Sequence, residues 1–172
     1  MSGDREVREP VGEVVLGIDP GTAVTGFGVV SRANGGSVRL LECGVIRTSP
    51  GDPLHHRIRD IYEGVQELIT RHSPATVSVE NVYHGKNART ALTLGHTRGA
   101  ILLAVALKNL PVAEYTAVEI KKAVVGTGRA TKEQVAFMVQ RQLGLKAAPA
   151  PSDASDAVAA ALCHCMAGAF RK

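Results

Sequence analysis

Val14-Val15-Leu16-Gly17-Ile18-Asp19-Pro20-Gly21-Thr22 sets an acid at the end of an apolar run, immediately before a turn. A second apolar run, Gly26-Phe27-Gly28-Val29-Val30, follows. An acid so placed ends a strand, where the backbone turns away and the carboxylate can face a cleft. Three more acids stand in comparably apolar settings. Glu80 ends the β-type run Ala75-Thr76-Val77-Ser78-Val79, and Asp153 and Asp156 open an Ala-rich helical segment. Their i, i+3 spacing puts the last two on one helix face. Four carboxylates on apolar elements are costly unless their charge is compensated, and a divalent cation does that most directly.

At 172 residues and 45% hydrophobic, the chain can bury a core of its own. Residues 1–12 read as a polar, disordered tail and 13–172 as a single domain. Twenty Lys and Arg oppose 16 Asp and Glu, for a net charge of +4. If several acids converge on one site, the remaining surface is more basic than that balance, which suits a polyanionic partner. Three Tyr, three Phe and no Trp argue against a broad base-stacking platform. Cys43, Cys163 and Cys165 make no disulfide framework and fit a reducing cytosol, so a cytoplasmic location is expected. Cys163-His164-Cys165 lacks further ligands at zinc-finger spacing and reads as small residues packing a helix. The charged first residues carry no secretory signal. The apolar run Ala100 to Leu107 is too short, and too closely flanked by His96, Arg98 and Lys108, to span a membrane.

Strands are expected over Val14 to Ile18, Gly26 to Ser31 and Ser37 to Arg47, the last two joined at the hairpin signal Asn34-Gly35-Gly36. Leu54, Ile58, Ile61, Val65, Leu68 and Ile69 recur at helical spacing. After the strand ending at Glu80 come a helix over Ala88 to Lys108, a strand over Leu110 to Glu114 and a short helix over Tyr115 to Val125. Gly95 and Gly99, four apart, would let another backbone approach, in this chain or a second copy. Thr131 and Gln134 form a capping-box pattern, Gly144 closes the helix they open, and Ser152 is placed to cap the last one. Three strands in succession, then strands joined through helices, predict an antiparallel meander extended by parallel strands. Asp19 and Glu80 then share one sheet edge if their strands are neighbours, and the final helix can bring Asp153 and Asp156 over it.

Converging acids without a base cluster suit two Mg²⁺ ions about 4 Å apart, holding the attacking water and the leaving oxygen of a phosphodiester. Leu16-Gly17-Ile18-Asp19-Pro20-Gly21-Thr22…Thr25-Gly26-Phe27-Gly28-Val29 resembles the opening of the RuvC family of bacterial crossover-junction (Holliday junction) endonucleases. Further matches follow in order: Val79-Glu80-Asn81-Val82-Tyr83, Lys86-Asn87-Ala88, Ala91-Leu92-Thr93-Leu94-Gly95, Arg98-Gly99, Val124-Val125-Gly126-Thr127-Gly128 and Asp153-Ala154-Ser155-Asp156-Ala157. The resemblance implies an α/β RNase H-like (retroviral integrase superfamily) fold, a mixed five-stranded sheet flanked by helices. It implies a homodimer that cuts opposed strands of a four-way DNA junction, with the RuvA-RuvB branch-migration complex as a partner. Asp19, Glu80, Asp153 and Asp156 match the family's metal-binding acids, with Mg²⁺, or Mn²⁺ in its place, as the metal. Some members carry His at the position of Asp153; this chain does not, so its site is all-carboxylate. Lys121 and Lys132 match basic positions near the family's site, and Tyr83 an aromatic that can stack on a base at the cleavage point. Lys86, Arg89 and Arg98 are phosphate contacts or surface charges.

Three rival functions remain in view. Asp19-x-Gly21-Thr22-x-x-x-Gly26 also fits the first phosphate loop of the actin and sugar-kinase ATPases, although one copy in 172 residues cannot supply their second lobe. An RNase H-like nuclease acting on RNA or another branched substrate would keep the same acids. A non-catalytic junction-binding scaffold would have no reason to keep their mutual repulsion.

Overall fold

The computed structural model describes residues 12–81 and 87–167. The expectations for residues 1–11 of the tail, and for Tyr83 and Lys86, fall outside them. Five strands, β1 (Glu13–Asp19), β2 (Val24–Arg32), β3 (Val38–Arg47), β4 (Thr76–Asn81) and β5 (Val112–Thr116), form one mixed sheet in the order β3-β2-β1-β4-β5. The pairs β1–β2 and β2–β3 are antiparallel, whereas β4 runs parallel to both β1 and β5. The hairpin turns where expected, and Gly36, at φ 86°, takes a conformation that favours glycine.

Five helices, α1 (Leu54–His72), α2 (Ala88–Ala106), α3 (Ala117–Val125), α4 (Lys132–Gln142) and α5 (Ser152–Ala167), cover both faces. Alternation along β1 explains the two layers. Leu16 and Ile18 face a core with Val77, Val79, Ile61, Val65 and Ile101, on the side of α1 and α2. Val15 faces the other, built from α5 with Ile120, Val124, Val135 and Val139. Among the described residues, no helix is long and apolar enough to cross a membrane.

The sequence located the elements but misplaced two details. The fifth strand runs on through Tyr115 and Thr116, so the helix begins at Ala117 rather than Tyr115. A capping box is the cause: Thr116 Oγ1 accepts from Glu119 N, and the Glu119 carboxylate accepts from Thr116 N. Ser152 does not cap the last helix but is its first residue; its hydroxyl faces Asp153 Oδ2 at 3.5 Å, while the Pro151 carbonyl accepts from Ala154 N. At Gly95 and Gly99 nothing described lies within 4 Å of an added Cβ, so no other described part of this chain makes the close approach there and the surface is left bare for a second copy. Close backbone approach within the chain occurs where α5 crosses β1 and β2. A Cβ on Gly17 would lie 2.1 Å from Ala157 O, and one on Gly28 would lie 2.7 Å from Val158 Cα. The Thr131–Gln134 capping box and the closure at Gly144, φ 62°, are as expected.

Candidate active site

The register places the acids. Ile18 pairs with Val79 across the parallel β1–β4 ladder, so Asp19 and Glu80 follow side by side at the carboxyl edge. Asp19 pairs with Gly26 on the other side, and a Cβ on Gly26 would lie 2.0 Å from Asp153 O. The bare strand surface therefore seats the first turn of α5 beside Asp19. Buried Ala154, Ala157, Ala160 and Ala161 keep the helix close, and Ser78 Oγ donates to Ala160 O at 2.7 Å.

Asp19, Glu80, Asp156, Lys121 and Lys132 line one cleft of about 160 Å³. Ala117, Ile120, Val135 and Ala159 supply its apolar wall. Sequence reasoning missed these four, because wall and core residues share one helical periodicity. Asp153 stands outside the lining, and its charge is the smallest of the influences acting on Asp19.

Electrostatics here are set by burial first and by crowded negative charge second. Burial, then repulsion from Glu80, Asp156 and Asp153, pushes the Asp19 carboxyl up to about 8, against a smaller opposing pull from Lys132. Glu80 is also raised, first by burial and then by Asp156, while Lys132 and Lys121 hold it down. Lys132 Nζ donates to Asp156 Oδ2 at 2.7 Å, and that bond raises its own pKa. The repulsive part of that shift, from Glu80, Asp156 and Asp153, is what a bound cation would relieve.

The donor set fits a hard cation, since every acid offers carboxylate oxygens. Among the described residues, no three His, Cys, Asp or Glu side chains are gathered so that they alone could hold a metal ion. An open acidic cleft suits Mg²⁺, which binds through one or two carboxylates, several waters and substrate phosphate rather than an all-protein cage. Burial pushes the thiols of Cys163 and Cys165 up to about 12 and about 11. They stay protonated at neutral pH, in keeping with packing rather than zinc binding.

Other sequence candidates separate clearly. Arg89 is exposed in the first turn of α2, which Asn87 caps by accepting from Thr90 N at 2.9 Å. Arg98 is committed to an ion pair with Glu114, so it is not a free phosphate contact. Thr22, the threonine of the ATPase-like pattern, has its hydroxyl paired with Thr97 at 2.8 Å, and Gly26 is filled by α5. That loop is closed by the protein itself rather than open to a nucleotide.

The profile of the family described as crossover junction endodeoxyribonuclease RuvC matches residues 15–164. The crossover junction endodeoxyribonuclease RuvC of Moorella thermoacetica is 50% identical over 159 residues, covering 92% of this chain and 95% of that protein. The corresponding enzyme of Pelotomaculum thermopropionicum is 49% identical over 151 residues, 88% and 92% of the two chains. A solved structure of Thermus thermophilus RuvC in complex with Holliday junction substrate superposes with a TM-score of 0.86 at 40% identity, covering 91% of this chain and 94% of that one. The RNase H-like sheet, the acids at its carboxyl edge and a match along nearly the whole described chain agree: this protein belongs to the RuvC family of crossover junction endodeoxyribonucleases.

Proposed function

We propose that this chain is a divalent-metal-dependent endonuclease that resolves four-way DNA junctions by paired symmetric nicks in recombination and repair. The observation that carries the reading is the convergence of Asp19, Glu80 and Asp156 with Lys121 and Lys132 in one cleft. Membership of the RuvC family supplies the substrate class.

Asp19, Glu80 and Asp156 would hold the metal, with Asp19 central to the set because the charges of Glu80, Asp156 and Asp153 all act on it, and Asp153 would complete the set from the turn beside it. Two Mg²⁺ ions, or Mn²⁺ in their place, would when bound supply Lewis acidity at the scissile phosphodiester and lower the pKa of an attacking water. Lys121 and Lys132 place ammonium groups where charge develops on the phosphate oxygens. The 3′ oxygen leaves without a covalent intermediate.

Arg89, with Tyr83 and Lys86 beyond the described residues, is assigned to DNA: the two cations to phosphates and the tyrosine to a base near the cut. Paired nicks need two sites, which a homodimer supplies. The outer face of α2 is suited to form it, with Leu92, Leu103 and Leu107 exposed and Gly95 and Gly99 bare. The RuvA-RuvB complex is the proposed motor partner and the cytoplasm the proposed location, in keeping with three free cysteines.

The test is a mobile four-way junction labelled on each strand in turn, incubated with Mg²⁺ or with EDTA. Symmetric nicks with wild type in Mg²⁺, and none with Asp19→Asn or in EDTA, are expected. Binding without nicks under every metal condition would make the protein a scaffold, and a preference for RNA or flaps would move the substrate class.

A further inference from the structure

The turn that follows Asp19 is held by three threonine hydroxyls from three different parts of the fold. Thr25 Oγ1, on β2, donates to Gly21 O at 2.7 Å. Thr48 Oγ1, just after β3, donates to Thr22 O at 2.6 Å and accepts from Arg57 Nε of α1 at 2.9 Å. Thr97 Oγ1, on α2, shares a 2.8 Å hydrogen bond with Thr22 Oγ1. Thr25, Thr48 and Thr97 are all buried, Thr97 completely. Gly21 tightens the turn further, since a Cβ there would lie 2.1 Å from Val24 O.

These contacts differ in reach. The bonds of Thr25 and Thr48 tie the turn to the neighbouring meander. The bond of Thr97 is the long one, 75 residues apart in sequence, and it comes from a helix packed with the α1 and α2 core, on the other face of the sheet from α5. Thr97 stands on the same helix as Arg89, Leu92 and Leu103, so the turn of Asp19 is fastened to the element assigned above to DNA and to the second subunit. A neutral hydroxyl pair is also a sparing choice for that task. It fixes position without adding charge to a cleft already crowded with carboxylates, and the Thr97 hydroxyl, which also donates to Thr93 O at 3.4 Å, sits on a fully buried side chain.

We propose that Thr97 is a positioning residue for strand cleavage: through Thr22 it lets α2 fix the turn that carries Asp19, so that cutting, but not junction binding, depends on this hydroxyl pair. The inference rests on the nuclease reading above. The two fail differently, since failure of that reading abolishes metal-dependent cutting in wild type, whereas failure of this one leaves it intact and insensitive to Thr97.

The experiment compares wild type with Thr97→Val, which keeps the shape and removes the hydroxyl, and Thr97→Ser, which keeps the hydroxyl. Single-turnover cutting of a labelled four-way junction is measured at saturating Mg²⁺, and junction affinity is measured by fluorescence anisotropy in EDTA. Thr97→Val should cut about five- to tenfold more slowly, the scale of one neutral hydrogen bond lost in the transition state. Its junction affinity should stay within about twofold, and Thr97→Ser should recover most of the rate. Cutting by Thr97→Val within twofold of wild type would overturn the proposal. So would equal slowing in Thr97→Val and Thr97→Ser, which would assign the effect to packing. If Thr97→Val does not fold, Thr22→Val removes the same bond from the partly exposed side: slowed cutting supports the proposal, and a wild-type rate overturns it.

Discussion

Asp19→Asn should make the metal-free protein more stable, by an amount that grows with pH. The carboxyl titrates at about 8 in the fold against an ordinary 3.8. The native state therefore keeps its proton through a range where the unfolded chain has lost it. Native protein binds more protons than unfolded protein over that range, so stability falls as pH rises from about 4 to about 8. Asparagine cannot ionise and escapes the loss. Each tenfold change in proton affinity is about 1.4 kcal/mol, which puts the ceiling at about 6 kcal/mol. Much of the repulsion belongs to the cluster with Glu80 and Asp156 rather than to Asp19 alone, and water reaches the mouth of the cleft, so about 2 kcal/mol is expected at pH 8. For a chain of this length that is about 4–8 °C in Tm. Chemical denaturation of chelator-treated wild type and Asp19→Asn, at pH 5 and pH 8, reads the difference directly. A gap that is absent at pH 8, or the same at both pH values, would refute the reasoning. Added Mg²⁺ should raise the stability of wild type and leave Asp19→Asn nearly unchanged, because only the acid-bearing site gains binding free energy.

Lys132→Met should tighten Mn²⁺ binding, measured by calorimetry, because it frees Asp156 from the 2.7 Å bond to the ammonium. The same variant should cut at least about tenfold more slowly at saturating metal, since it removes a positive charge from the developing phosphate charge. Gly28→Ala would drive a methyl against the Val158 backbone, where a Cβ meets Cα at 2.7 Å and N at 2.8 Å. A loss of about 2–3 kcal/mol in urea denaturation, with weakened metal binding as α5 shifts, is the expected outcome. Junction affinity in EDTA should fall steeply between 50 mM and 200 mM salt if phosphate neutralisation supplies most of the binding. A flat response would point to contacts other than cations on phosphates.

What the sequence made legible follows from short-range rules. Strand and helix periods, the Asn34-Gly35-Gly36 turn and the Thr131–Gln134 capping box are local patterns, and each appears where expected. The acids were conspicuous because charge on an apolar element is costly and so calls for a reason. Even the boundary of α3 was in principle readable, since Thr116 and Glu119 hold the spacing of a capping box; the apolar look of Val112 to Val125 hid it.

Tertiary structure alone decided how those acids meet. Nothing local distinguishes Gly17, Gly26 and Gly28, which admit α5, from Gly95 and Gly99, where no described atom lies within 4 Å of an added Cβ. Nothing local reports that Lys132 lies on Asp156 rather than in solvent, or that Asp153 stands aside from the cleft that Asp156 lines. The bond between Thr22 and Thr97 joins residues whose separation in sequence carries no signal. The amino-acid sequence by itself determined the elements, the family and the identity of the acids, because these rest on residue type and spacing along one segment. The three-dimensional packing decided the cleft, its raised proton affinity and the clamp on its turn, because Coulomb repulsion, desolvation and hydrogen bonding depend on distances across the fold.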